Sequence, residues 1–428
     1  MEVSVTMANS LKELAGMPMK GTPYFDENRW VSPLNFLNGA MFERLPKKVA
    51  IHDVTLRDGE QTCGLVWRED DRVRIGEALN ELGVGRIEVG MPIISEENRN
   101  AIRRLKKMKL NSELVAFCRA IPKDLDAALE VGVDRIIVEH AINPYLNAYV
   151  YSKTMEEVVA SVTNCINYVK KNGVKVSFMG WDATRAPIDY VLEAFKQIAH
   201  GAEPETMAFV DSFGVSTPYA IQFAFEELRK VVPEKIGLEF HVHNEFGMAM
   251  GSVIAAIVGG ARTIHSSING LGERTGNVAT EQVAAALKIL LNIETGVDIS
   301  KIGEVSRLVQ DIAHISPADN SPVVGERLFW VESGVVVDAL ERLNSAGIHA
   351  AMTPYMPQLV GRAGPLIKYG AFSGKASIKY YLRLKGMEAT EEQLEDILDM
   401  VHAEGQIRKT VLEESVLDKI ITSVMGKV

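Results

Sequence analysis

Cysteine is scarce: Cys63, Cys118 and Cys165 are the only three, widely separated and never in a Cys-x-x-Cys pair. A disulfide framework and a thiolate zinc site are thereby excluded, and a reducing compartment, the cytoplasm, is expected. Positive charge is also short, with 46 basic against 56 acidic residues and a net charge of −10 with histidine neutral. No lysine or arginine cluster is long enough to track a phosphate backbone, so nucleic acid is not an expected partner. No run reaches the roughly 18 uninterrupted apolar residues that a membrane helix needs. The opening MEVSVTMANSLKELAG lacks the basic flank and apolar core of a secretion signal, so neither export nor membrane insertion is expected.

What is present is globular, 47% hydrophobic and 24% charged, and able to bury a large core. Single cores stop growing at about 250–300 residues, so a chain of 428 residues is expected to form one large unit and a smaller one.

Between residues 47 and 292 one phrase recurs: a short β-branched apolar run, a polar or glycine-bearing turn, then a longer run with helical periodicity. Strands are expected at 49–56, 86–91, 113–120, 134–141, 174–181, 206–212, 237–243 and 263–270, each followed by a helix. Eight βα units in one domain predict a closed (β/α)8 TIM barrel rather than an open doubly wound sheet. Residues 1–46, punctuated by Pro, Gly and Asn, read as an irregular N-terminal arm, and 293–428 as a mostly helical C-terminal lid or dimerisation domain.

In such a barrel the active centre lies at the C-terminal ends of the strands. The first strand ends in DVTLRDGEQ, which puts Arg57, Asp58 and Gln61 at the mouth; standing alone, that run would read as a solvated turn. The seventh ends in His241-Val242-His243, and because side chains alternate along a strand the two imidazoles share a face. Two histidines with one aspartate suit a divalent cation with open positions. A 2-oxo acid, with its carboxylate and ketone oxygens, is one fitting ligand. The metal would polarise its carbonyl while Arg57 holds the developing alkoxide.

The segments DVTLRDGEQT, HVHNEFGMAMG and INGLGERTGNVATEQV together resemble the DRE-TIM metallolyase superfamily, and within it the branch of 2-isopropylmalate, homocitrate, citramalate and Re-type citrate synthases. The resemblance implies an acyltransferase of amino-acid biosynthesis that condenses an acyl-CoA, usually acetyl-CoA, with a metal-bound 2-oxo acid in a Claisen-type reaction, then hydrolyses the thioester. It implies Asp58, His241 and His243 as ligands of magnesium, manganese or zinc, with Asn277 close to the metal or its water, and Arg57 stabilising the oxyanion. It places Gln61, Glu88, Arg119 and Ser212 in the substrate pocket; His140, at the end of strand four, is a further substrate-binding candidate read from its position. A homodimer is implied, and no further regulatory domain is expected.

Two departures stand out. MGWDATR puts Trp181 where the synthases carry a glutamate, and FWVESGVVVDAL has Val331 and Val336 in place of histidines. The usual acid/base pair is missing, and Glu139, His140, Asp182, His349 and Tyr355 are the candidate substitutes. The alternative to condensation is a metal-dependent carbon–carbon lyase or aldolase acting on a 2-hydroxy acid or acyl-CoA, in the manner of hydroxymethylglutaryl-CoA lyase. Against it, GLGERTGN carries no cysteine where those lyases have a reactive one. A non-catalytic regulatory relative is the third reading, disfavoured because binding alone needs no oxyanion stabiliser.

Overall fold

A computed structural model of the protein describes residues 21–37 and 42–426. Residues 1–20 and 38–41, which belong to the expected N-terminal arm, lie outside the described residues.

Eight parallel strands close into a barrel in chain order: β1 Ala50–Asp53, β2 Arg86–Gly90, β3 Glu113–Arg119, β4 Arg135–Ala141, β5 Lys175–Trp181, β6 Thr206–Asp211, β7 Gly237–Val242 and β8 Thr263–Ser266. Closure is made by β8 on β1, with His265 opposite His52 and Ser266 opposite Asp53. The TIM barrel expected from the sequence is the fold observed. β1 is shorter than its apolar run because the Asp53 carboxylate accepts from the Thr55 amide at 2.9 Å and bends the chain out of the ladder. The helices carry local stop and start signals. Ser95 caps Glu96–Lys107 by accepting from Asn98 N, and Thr154 and Glu157 form a reciprocal box on Met155–Lys171.

Between barrel and helices, aromatic rings alternate from strand to helix: Phe178, Phe195, Phe209, Phe225 and Phe240 meet edge to face with centroids 5.4–6.4 Å apart. Each ring is buried, which contributes roughly 2–3 kcal/mol apiece plus about 0.5–1.5 for each pair. They tie β5, β6 and β7 to Ile188–Ala202 and Pro218–Val231, the side of the barrel that carries the seventh-strand histidines.

The barrel interior is divided. On the β3–β6 side it is apolar, built from Val115, Ile137, Met179, Ala208 and Val210. On the β1, β2, β7 and β8 side it is polar, with His52, Glu88, Glu239 and His265 all fully buried.

The described residues divide into two compact units, one formed within 37–326 and the other by 21–36 with 327–426. The barrel unit includes the helix Ile302–Ala313, anchored where the Asp298 amide donates to Leu82 O at 2.9 Å. In the other unit the helices Lys375–Leu384, Glu391–Arg408 and Glu414–Met425 enclose a core that includes Ile378, Leu382, Ile397, Val401 and Leu417. A short parallel pair, β9 Trp330–Val331 and β10 Leu366–Ile367, lies beside the helix Gly334–Ser345 in sequence. The segment around Arg29 belongs to this unit: Trp30 N donates to Pro354 O, and Arg29 bridges to Tyr355. No helix among the described residues is long and apolar enough to cross a membrane.

Candidate active site

Past β1 the chain curls back, with the amides of Arg57 and Gly59 both donating to Val54 O at 3.0 Å. This turn sets Arg57 and Asp58 at the mouth instead of sending them outward. On β7, alternation puts Glu239, His241 and His243 on the inner face and Val242 on the outer. Asp58, His241 and His243 therefore converge, all buried. The two Nε2 atoms are 3.2 Å apart, and each lies close to Asp58 Oδ2, at 3.6 and 3.8 Å.

These spacings fit a shared cation: donors at about 2.0–2.2 Å from one ion, at angles of about 95–120°, stand roughly 3.0–3.8 Å from each other. Burial, with mutual repulsion, holds the His241 pKa well below its ordinary value, and burial also lowers that of His243. Neutral imidazole is the ligating form. Oδ1 of Asn277, whose amide nitrogen holds Asp58, is buried without a hydrogen-bond partner, a lone polar atom beside the converging side chains that an apolar site would not carry.

Asn277 reaches Asp58 because of a tight glycine loop. Its Nδ2 donates to Asp58 Oδ1 at 3.0 Å and to Leu271 O at 2.9 Å. A Cβ on Gly272 would stand 2.5 Å from Asn277 Nδ2, and one on Gly276 1.8 Å from Gly270 O. Both have positive φ, so the spacing of GLGERTGN serves the backbone approach that steadies the carboxylate.

Arg57 is held from several sides. Its Nε donates to Glu88, its Nη1 to Asp58 Oδ2 at 2.9 Å and to Gln61 Oε1 at 3.1 Å, and its guanidinium lies 4.4 Å from the Phe117 ring centroid. Nη2 is buried without a partner. Behind it runs a buried chain: Glu88 meets His52 Nε2 at 2.9 Å, the His52 and His265 rings stack at 4.2 Å, His265 meets Glu239 at 2.7 Å, and Glu239 pairs with Arg86. Burial, aided by His265, lowers the His52 pKa to about 4. Burial pushes the Glu88 carboxyl up, but Arg57 and His52 outweigh it and hold it at about 2. Two carboxylates thus balance two guanidinium groups, with His52 neutral between them.

The mouth forms a cavity of about 350 Å³ whose lining includes Gln61, Arg119, Ser212 and Trp181 together with Arg57, Asp58 and the two histidines. Glu88, His140 and Asp182 are not on that lining. Glu88 lies one layer deeper, as the support of Arg57. His140 follows Glu139 on β4 and so faces the other way, its ring 4.9 Å from that of Tyr151 and its Nδ1 on Ala141 O. Asp182 is fully buried, its carboxylate taken up by Arg185 at 2.7 and 2.8 Å and by Asn143 at 2.8 Å. His349 and Tyr355 belong to the other compact unit; His349 is exposed, and burial pushes the Tyr355 hydroxyl up to about 12.

Sequence reasoning passed over His52, Glu239 and His265. Each is a polar residue at an inward position of an apolar strand, and that alternation was the available signal. It also passed over Arg274, inside the quoted GLGERTGN motif, whose guanidinium reaches Glu245 at 2.6 Å and the Ser212 carbonyl at the rim.

Residues 48–309 match the HMGL-like family. Three curated relatives of Methanocaldococcus jannaschii are similar over most of their length. A 2-isopropylmalate synthase is 35% identical, covering 90% of this chain and 73% of its own. An (R)-citramalate synthase is 36% identical, covering 89% and 75%. A homocitrate synthase is 33% identical, covering 89% and 92%. Among solved structures, the HMG-CoA lyase of Bacillus subtilis superposes with a TM-score of 0.59 at 20% identity, over 64% of this chain and 97% of that one, a likeness of fold.

Proposed function

The chain belongs to the HMGL-like family, and from that premise we propose that its barrel mouth condenses an acyl-CoA, acetyl-CoA in the first instance, with a 2-oxo acid to give a 2-hydroxy di- or tricarboxylic acid. The relatives at 33–36% identity are synthases of this type. The observation that carries the reading is the convergence of Asp58, His241 and His243 beside a pinned guanidinium. A divalent cation bound by those three side chains, with Asn277 at the edge of the set, would supply Lewis-acid polarisation of the ketone oxygen.

The remaining chemistry falls to the chain itself. Arg57 presents Nη2, a donor with no other partner, toward the charge that develops as the ketone oxygen becomes an alkoxide. Being fixed beforehand by Glu88, Asp58 and Gln61, it needs no reorganisation during the reaction. Arg119 and Arg274 line the rim, each already paired with a carboxylate of the chain, Asp124 and Glu245, for which a substrate carboxylate would compete. Phe117, Met179, Trp181 and Val210 supply an apolar wall that keeps water from a reacting carbanion. The homodimer implied by the resemblance is part of the reading, and sedimentation analysis giving twice the chain mass checks it.

The test is free-thiol release by the metal-loaded protein from acetyl-CoA, with glyoxylate, pyruvate, oxaloacetate, 2-oxoglutarate and 2-oxoisovalerate as acceptors. Thiol release with at least one acceptor is the expected result. Silence with all five, together with cleavage of a 2-hydroxy acid, replaces condensation by the lyase reading.

A further inference from the structure

Resting on the condensation reading, we propose that Glu139 is the general base that removes the proton from the acyl-CoA carbon next to the thioester. Three carboxylates line the mouth: Asp58, Glu139 and Glu273. Asp58 is engaged by Arg57 and Asn277, and Glu273 by Arg274 at 3.3 Å. Glu139 alone of the three has a carboxylate with no hydrogen bond or ion pair among the described residues. Its parity on β4 is that of Ile137, which belongs to the inner apolar cluster, so its side chain enters the cavity from the barrel side.

The surrounding groups leave it free. Arg119 is its partner in the strand ladder, yet that guanidinium turns away to grip Asp124 at 2.8 and 3.0 Å. Arg57 spends its Nε and Nη1 on Glu88, Asp58 and Gln61, and its remaining Nη2 makes no hydrogen bond to Glu139. On its other side the strand partner is Met179, two residues before Trp181, so the neighbouring surface is apolar and Trp181 brings no competing charge. The position that the resemblance gives to a glutamate is thereby vacant of carboxylate, and a carboxylate stands instead on the adjacent strand. Burial pushes the Glu139 carboxyl up to about 7 against the pull of Arg57 and Arg119, the range in which a base is both free and strong enough at neutral pH.

The step balances without an outside reagent. Glu139 takes the proton, the C–H electron pair becomes the enolate double bond, and the thioester oxygen takes the negative charge. The same carbon then bonds to the ketone carbon of the 2-oxo acid, whose π pair moves onto oxygen beside Arg57. The new carboxylic acid returns its proton to that alkoxide, directly or through one water. Water then hydrolyses the thioester, leaving a carboxylic acid and the free thiol.

The experiment compares wild type, E139Q and E139D, all metal-loaded. It measures thiol release with the best acceptor and exchange of acetyl-CoA methyl hydrogens with D₂O in the presence of oxamate, a 2-oxo acid mimic that accepts no carbanion. E139Q is expected to lose about 10²–10⁴-fold in both readouts, while calorimetric affinity for oxamate and for metal stays within about threefold. E139D, which keeps a base one methylene short, is expected to fall between the two. Thiol release by E139Q within tenfold of wild type overturns the role of Glu139 while leaving condensation intact. A wild type silent with every acceptor overturns condensation and this inference with it. If E139Q fails to fold, E139D decides: a rate within threefold of wild type overturns the proposal, and a larger loss with unchanged oxamate affinity supports it.

Discussion

Glu88→Gln tests whether the buried chain behind Arg57 supports the site. The substitution keeps the shape and an oxygen for the Arg57 Nε–H but removes the charge and places an amide NH₂ against His52 Nε2, now 2.9 Å from a carboxylate oxygen. His52 must then either lose that hydrogen bond or move its proton to Nδ1, which is buried without a partner. The magnitude follows from linkage. A carboxyl held at about 2 in the fold against 4.5 as its ordinary value contributes roughly 3 kcal/mol at neutral pH, at about 1.4 kcal/mol per pH unit. Breaking one side of a buried ion pair typically costs about 3–5 kcal/mol, and the two figures agree. Because the folded pKa is depressed, the stabilisation is fully present above about pH 4.5 and is lost as the pH falls through about 2. Urea unfolding at pH 7, followed by fluorescence and circular dichroism, should show a lower midpoint at unchanged slope, and the gap from wild type should narrow below pH 4.5. A loss under about 1 kcal/mol, or a gap that widens on acidification, means that Glu88 is not paired as described.

Five further outcomes follow from the same geometry. Exhaustive chelation should abolish thiol release and readdition of a divalent ion restore it, while Asp58→Asn should weaken metal binding more than the roughly 10–100-fold typical of an outer-sphere partner, read by competition with a chromogenic chelator. Gly272→Ala, which drives a Cβ into Asn277 Nδ2 at 2.5 Å, should cost metal affinity about 10–100-fold through the displaced Asn277–Asp58 contact; unchanged affinity in the same competition speaks against that support. Burial raises the Glu281 carboxyl to about 7, so its contribution is full below about pH 4.5 and is lost as the pH rises through 7. Glu281→Gln, which keeps an oxygen for the Asn269 amide now 3.0 Å away, should therefore gain up to about 3 kcal/mol over wild type by pH 8, seen as a melting-temperature difference that grows between pH 5 and 8. Phe225→Ala, at the centre of the ring series, should cost about 3–5 kcal/mol in urea unfolding.

Much of this protein was legible residue by residue. The alternation of β-branched runs with helical periodicity predicts eight βα units because a parallel strand needs a crossover after every turn, and the barrel closes in that order. His241 and His243 share a face from strand parity alone, and the motif glycines at 272 and 276 reflect a backbone approach that any side chain would block. What only the tertiary structure decided is which polar residues engage one another across the barrel. Glu88 reads as a mouth residue along its own strand, yet its charge is spent on Arg57 and His52 a layer down. Asp182 reads as a free base until Arg185 and Asn143 are seen to occupy it. Glu139 stays uncommitted only because Arg119 finds Asp124. The physical reason is range: strand parity and turn chemistry are set by neighbours in the chain. Whether a carboxylate is paired or left unpaired depends on a few ångströms of side-chain placement that the fold sets, both for partners far along the chain, as Arg57 and His52 are from Glu88, and for near ones such as Arg119 and Asp124, which must choose among several groups within reach.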